Sequence, residues 1–225
     1  MARPVLALLR RRRPLAGRAL GAGYVQVAGA VLALVPDGAP RMPNGIASPL
    51  PGPVPGTPVW IGAGRVQTGR AAIAEGPVWD PVPRVHVRLR ADPPLAVDAL
   101  ALAGRGGGLT PYGDDVLAGY AAGLVLWRAD RTQAQAIADA AAPRTTPLAA
   151  TLLRHAARGE LPEPAHALLE RADPEPLCRF GHSSGRGLLL GLALACPDPR
   201  PPGAGRAVVP PPDGEAPRAT VWVAR

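Results

Sequence analysis

Two patterns of apolar and polar positions divide the chain. Up to about residue 92, short alternating runs are broken by Gly and Pro; beyond it, apolar residues recur at three- and four-residue spacing. Tyr24-Val25-Gln26-Val27 and the run Val31 to Val35 flank Ala28-Gly29-Ala30 and predict a hairpin. Pro58-Val59-Trp60-Ile61 and Arg65-Val66-Gln67-Thr68, either side of Gly62-Ala63-Gly64, predict a second. Residues 36–58 are crowded with Pro and Gly and read as a loop. The clearest strand spans residues 84–90, with Val85, Val87 and Leu89 on one face and Arg84, His86, Arg88 and Arg90 on the other.

Helices are expected over residues 95–103, 111–129, 132–142, 147–158, 164–171 and 185–195, the first and fourth stopped by Gly104 and Gly159. Residues 116–127 and 188–195 are apolar or small on every face, which marks buried central helices. Residues 197–217 read as an irregular Pro/Gly-rich tail, and 220–223 as a strand returning to the N-terminal sheet. The expected fold is α+β. A β-rich part, residues 1–92, forms an antiparallel sheet or barrel. A helical bundle with two buried central helices, residues 93–197, follows it, and residues 198–225 form the tail.

Composition narrows the function classes. With 225 residues and 47% of them hydrophobic, a sizeable core can form. The net charge of +8 is carried without a single lysine, all 25 basic residues being arginine. Such a charge invites nucleic-acid binding, but aromatics are only 4% and no recognition motif is present, so none is expected. Arginine without lysine, amid abundant Ala, Gly and Pro, is what a GC-rich coding bias produces. No apolar run approaches the roughly 18–20 residues of a membrane span. The charges at the start, Arg10 to Arg13, follow a short apolar stretch, the reverse of a signal peptide, so a cytoplasmic location is expected. Two cysteines make no disulfide scaffold, and the four histidines show no metal-ligand spacing.

Candidate chemistry sits in three loops, each opening a helix. In Gly104-Arg105-Gly106-Gly107-Gly108-Leu109-Thr110-Pro111-Tyr112-Gly113-Asp114-Asp115, Thr110 fits an N-cap and Pro111 the first helical position. The glycines permit close backbone approach, and free N–H groups at a helix start make an anion cradle. Asp114 and Asp115 sit at the mouth of a buried helix, where a carboxylate needs a partner. Phe180-Gly181-His182-Ser183-Ser184-Gly185-Arg186-Gly187 opens the other buried helix, with Ser183 or Ser184 able to cap it. Pro143-Arg144-Thr145-Thr146-Pro147 joins a forked donor to two hydroxyls at a third helix start. Together the loops suggest one shared site for an anionic ligand.

The strings Gly108 to Asp115 with Leu117 and Gly119, then Arg144-Thr145-Thr146, then Gly181 to Gly185 resemble the signature blocks of a bacterial family of unknown function. That family includes the AllH-like subunit of oxamate carbamoyltransferase. The resemblance implies a transferase exchanging carbamoyl between oxamate and carbamoyl phosphate in purine (allantoin) catabolism. From the residues themselves, no cofactor and no metal site are expected. The resemblance also implies partner subunits and a small anionic substrate. In that reading Asp114, Asp115 and His182 are catalytic: Asp114 accepts from an amide N–H or orients a base, and His182 polarises the carbonyl or steadies the leaving phosphate. Gly106, Gly108, Thr110, Arg144, Thr145, Thr146, Ser183, Ser184 and Gly185 bind substrate. The alternative is a non-catalytic scaffold or regulatory subunit of such a complex. The chain departs from the family pattern at Gly107, Tyr112, Ala149 and Gly187.

Overall fold

A computed structural model describes residues 1–49, 52–197, 206–208 and 219–224. The fold is α+β, and the chain divides into two compact units, Met1–Pro81 and Val82–Arg225.

In the first unit, helix α1 (Arg3–Leu9) precedes strands β1 (Leu15–Gly21), β2 (Tyr24–Val27), β3 (Ala30–Val35), β4 (Gly45–Ala47), β5 (Pro58–Gly62), β6 (Arg65–Thr68) and β7 (Ala71–Ala74). They form one sheet in the order β4-β3-β2-β1-β5-β6-β7, antiparallel except where β4 runs parallel to β3. Both expected hairpins are present. They close on Ala28-Gly29 and Ala63-Gly64, with positive φ at both residues of each pair, as two-residue turns matching strand twist require. Val5 and Leu9 of α1 are buried with Val25, Val27, Val59, Ile61 and Val66 of the sheet.

The structure adds elements to this unit. Strand β4 lies inside the stretch read as loop, and its three residues are too few to show a period. Strand β1, Leu-Ala-Gly-Arg-Ala-Leu-Gly, lies in the middle of the sheet yet contains no β-branched or aromatic residue. Its two ladders, to β2 and β5, make it a strand despite its composition.

The second unit contains β8 (Arg88–Asp92), α2 (Ala99–Leu102), α3 (Tyr112–Arg128), α4 (Arg131–Ala141), a 3-10 turn (Ala142–Arg144), α5 (Pro147–Ala156), α6 (Glu163–Arg171), α7 (Glu175–Cys178), α8 (Ser184–Ala195), β9 (Arg206–Val208) and β10 (Thr220–Ala224). Four expectations are corrected here. The alternation over 84–90 holds in burial at Val87 and Leu89, but the described ladder, to β10, covers only Arg88–Asp92. Just before it, His86 donates its N–H to the carbonyl of Leu169 in α6 instead. Strand β10 does not join the seven-stranded sheet; it lies between β8 and β9. The helix expected over 95–103 shrinks to Ala99–Leu102, started by Asp98, whose carboxylate accepts from the N–H groups of Leu100 and Ala101. The tail read as irregular contributes β9, and its remaining residues from 198 on lie outside the described ones.

The core of this unit is the pair α3 and α8, the two buried central helices. They pack backbone against backbone. A methyl group built on Gly119 would overlap the carbonyl oxygen of Leu188, one on Gly191 that of Val116, and one on Gly123 the side chain of Ala195. On each helix these glycines stand four residues apart (119 and 123, 187 and 191), hence on one face. The matching order of partners, Asp115 with Gly187, Val116 with Gly191 and Gly123 with Ala195, means that the two helices run parallel. Their N-termini therefore share one end.

In an unobstructed helix interior, Gly→Ala stabilises by roughly 0.5–1 kcal/mol. Gly191→Ala should do the opposite here and destabilise by about 1–3 kcal/mol, since its methyl group meets backbone that cannot step aside. A urea midpoint for the variant at or above the wild-type value would contradict this packing.

Candidate functional site

The three sequence-predicted loops converge at the shared end of α3 and α8. Loop 105–113 is closed at its base by the N–H of Gly113 donating to the carbonyl of Arg105 at 2.9 Å. Thr146 fixes it to the start of α5: its hydroxyl donates to the carbonyl of Leu109 at 2.6 Å and accepts from the N–H of Ala149 at 3.1 Å. Thr145 donates its hydroxyl to Asp114 Oδ2. Thr110 Oγ1 and Ser184 Oγ lie 2.9 Å apart, joining the same loop to the first residue of α8. Three helix N-termini, those of α3, α5 and α8, thus meet around one set of side chains. Each adds partial positive charge from its unpaired N–H groups.

Local expectations shift in detail. Helix α3 starts at Tyr112 with Pro111 in the capping place and no side-chain cap. Thr110 is therefore no N-cap, because its hydroxyl is committed to Ser184. Nor does either serine cap α8: Ser183 occupies the capping place without a side-chain bond, and Ser184 lies inside the helix. Gly185 is buried, and a side chain there would overlap the Leu177 carbonyl. Gly106 and Gly108 are exposed with φ of 107° and 90°. Arg144 and His182 are exposed too, and among the described residues neither side chain makes a hydrogen bond or ion pair. Arg105 is exposed and Arg186 half-buried.

The adjacent carboxylates differ sharply. Asp114 has both oxygens engaged, Oδ1 by the N–H of Gly104 at 3.0 Å and Oδ2 by Thr145. Burial still raises its pKa, against the pull of those two bonds. Asp115 is only 7% exposed, and its Oδ2 is buried without a hydrogen-bond partner. Burial pushes its pKa up to about 8, with Ser184 pulling down and the neighbouring Asp114 pushing up. One turn before it, Tyr112 carries a hydroxyl that is also buried and unpartnered. Burial, helped by Asp115 and opposed by Arg186, raises that phenol to about 12. Tyr112 was absent from the residues expected at the site; its place three residues before Asp115, on the same helix face, is the signal that finds it. Among the described residues, no group of three or more His, Cys, Asp or Glu side chains could hold a metal ion.

The family model described as oxamate carbamoyltransferase subunit AllH matches residues 102–196. This segment is AllH-like. All three loops lie within the AllH match, which runs from the end of α2 through α8 and leaves residues 1–101 outside it. No curated protein and no solved structure matches the chain.

The raised pKa of Asp115 has a stability consequence with a definite sign. Below about pH 4 the carboxyl is protonated whether the chain is folded or not. Between about pH 4 and 8 the unfolded chain releases this proton and the folded one keeps it, so stability falls as pH rises, then levels off. Asp115→Asn removes that titration. The difference in melting temperature, variant minus wild type, should grow from pH 4 to 8 and stay flat above; a difference independent of pH would refute the assignment.

Proposed function

We propose that the chain is a subunit of an oxamate carbamoyltransferase-like enzyme, and that the meeting point of α3, α5 and α8 binds carbamoyl phosphate or a related phosphate or carboxylate. The observation that carries this reading is the convergence of three helix N-termini on one spot, within the segment that matches the AllH family. Such an arrangement favours an anion. The exposed N–H groups of Gly106 and Gly108 and the guanidinium groups of Arg105, Arg144 and Arg186 are the donors left for it. Thr145, Thr146 and Thr110 spend their hydroxyls on holding the loops together, so in this state they shape the cradle. His182, on the turn before α8, and Ser183 stand at its rim. Other subunits complete the assembly, a small anionic molecule is the substrate, and allantoin-derived nitrogen is its metabolic setting.

The second reading is a scaffold or regulatory subunit. It draws on Leu100 and Leu109, exposed by 57% and 58% beside the Gly-rich loop, which suit a protein partner more than a small anion.

Thermal melting separates the two. A ligand at a hundred times its Kd adds about 2.7 kcal/mol to the stability of the state that binds it. Carbamoyl phosphate should raise the melting temperature of the isolated full chain, and Arg144→Ala should remove most of that rise without lowering the unliganded value, because Arg144 is exposed. No rise from the isolated chain, or from its assembly with partner subunits, would leave the scaffold reading standing.

A further inference from the structure

Asp115 Oδ2 and the Tyr112 hydroxyl are buried polar atoms without partners, on one face of α3 and a single turn apart. Among the described residues the other such atoms, Asn44 Oδ1, Trp127 Nε1 and Trp222 Nε1, lie elsewhere in the sequence and form no comparable pair. An unpartnered buried polar group is costly, and two of them in one turn of a core helix call for a partner that the chain itself does not supply. We propose that Tyr112 and Asp115 act as two neutral hydrogen-bond donors that receive the carbonyl oxygen of a carboxamide or carbamoyl group. This rests on the proposed carbamoyltransferase reading and adds to it the part of the substrate that the buried pair recognises.

The chemistry of the surroundings agrees. A phenol donates its O–H, and a carboxylic acid donates only while it keeps its proton. The groups facing Asp115 are Tyr112 and Asp114 on its own helix and Ser184 on α8, with Arg186 of α8 acting on Tyr112. The like charge of Asp114 and the burial both favour the protonated form. Helix N-termini favour the carboxylate, but an anionic ligand seated on them supplies its own negative charge and takes up that potential. A neutral acid beside a tyrosine is a known arrangement for polarising a carbonyl; the handling of a ketosteroid by such a pair is the general precedent. Polarised this way, the carbonyl carbon becomes more open to attack.

The test uses the full chain, alone and in its assembly, with oxamate labelled with ¹³C at its amide carbonyl. Binding should lower the carbonyl stretching frequency in the infrared spectrum. Affinity should hold steady up to about pH 8 and fall above it as Asp115 loses its proton. Asp115→Asn, which keeps a donor, should stay within about threefold of wild type and lose the alkaline fall. Asp115→Leu and Tyr112→Phe should each weaken oxamate about tenfold or more, the size expected for one hydrogen bond. Tyr112→Phe should do so without lowering the unliganded melting temperature, since the hydroxyl it removes has no partner. Binding that is unchanged in Asp115→Leu and Tyr112→Phe, or an alkaline fall that survives in Asp115→Asn, overturns the donor pair while leaving the ligand site intact. Failure of wild type to bind oxamate in either form overturns the pair and the carbamoyltransferase reading together.

Discussion

Everything at the candidate site depends on how closely α3 and α8 approach. Glycines spaced four apart on both helices bring backbone onto backbone, so the helices are fixed in register as well as in distance. Because the pair runs parallel, its two positive ends coincide. An antiparallel pair of the same composition would place a C-terminus beside the carboxylates and remove the reason to bind an anion there. Gly187, whose Cβ would stand 2.8 Å from that of Asp115, sets the spacing at the site itself. The same contact that builds the core therefore aims the chemistry.

Rigid helices alone would leave three loops free to wander. Their positions are instead set by hydroxyl bonds between segments distant in sequence: Thr145 to Asp114, Thr146 to the Leu109 carbonyl, and Thr110 with Ser184. Each is worth only about 0.5–1.5 kcal/mol in isolation, and more where a carboxylate accepts. Their value for the proposed anion site lies in holding exposed glycine N–H groups at fixed places, which would lower the ordering cost of binding. A second polar cluster stands where the chain leaves α5. His155 Nδ1 lies 2.6 Å from Glu160 Oε2, and Arg158 donates to the same oxygen at 2.8 and 3.1 Å, which locks the chain there.

Sequence reading succeeded where one strong local signal dominated. The hairpins announced themselves by Ala-Gly pairs between alternating runs, and α3 and α8 by the absence of any polar face. It missed elements held by neighbours, not by composition. Strand β1 is a strand because β2 and β5 flank it, and nothing in Leu-Ala-Gly-Arg-Ala-Leu-Gly says so. At the site, the three loops were legible because each carried small polar residues ahead of an apolar helix. What no local pattern shows is how a hydroxyl is spent. Thr110 has the right place and chemistry for an N-cap, yet Ser184, 74 residues away, takes it. Such choices are made by tertiary contact, which overrides a cap worth about 1 kcal/mol.

The two adjacent aspartates show the same principle at its sharpest. In sequence they are equivalent, and the resemblance makes both catalytic. On a helix, successive side chains point about 100° apart, so a single step along the backbone gives the two carboxyls different surroundings. Asp114 points towards Gly104 and Thr145 and spends both oxygens there. Asp115 points towards α8, where glycine replaces any side chain that could neutralise it, and one oxygen stays unspent. A carboxyl with both oxygens engaged holds structure together; one kept dry and incomplete is free to meet something else. The role divides along the helix phase, and the phase is set by the glycine contact between α3 and α8.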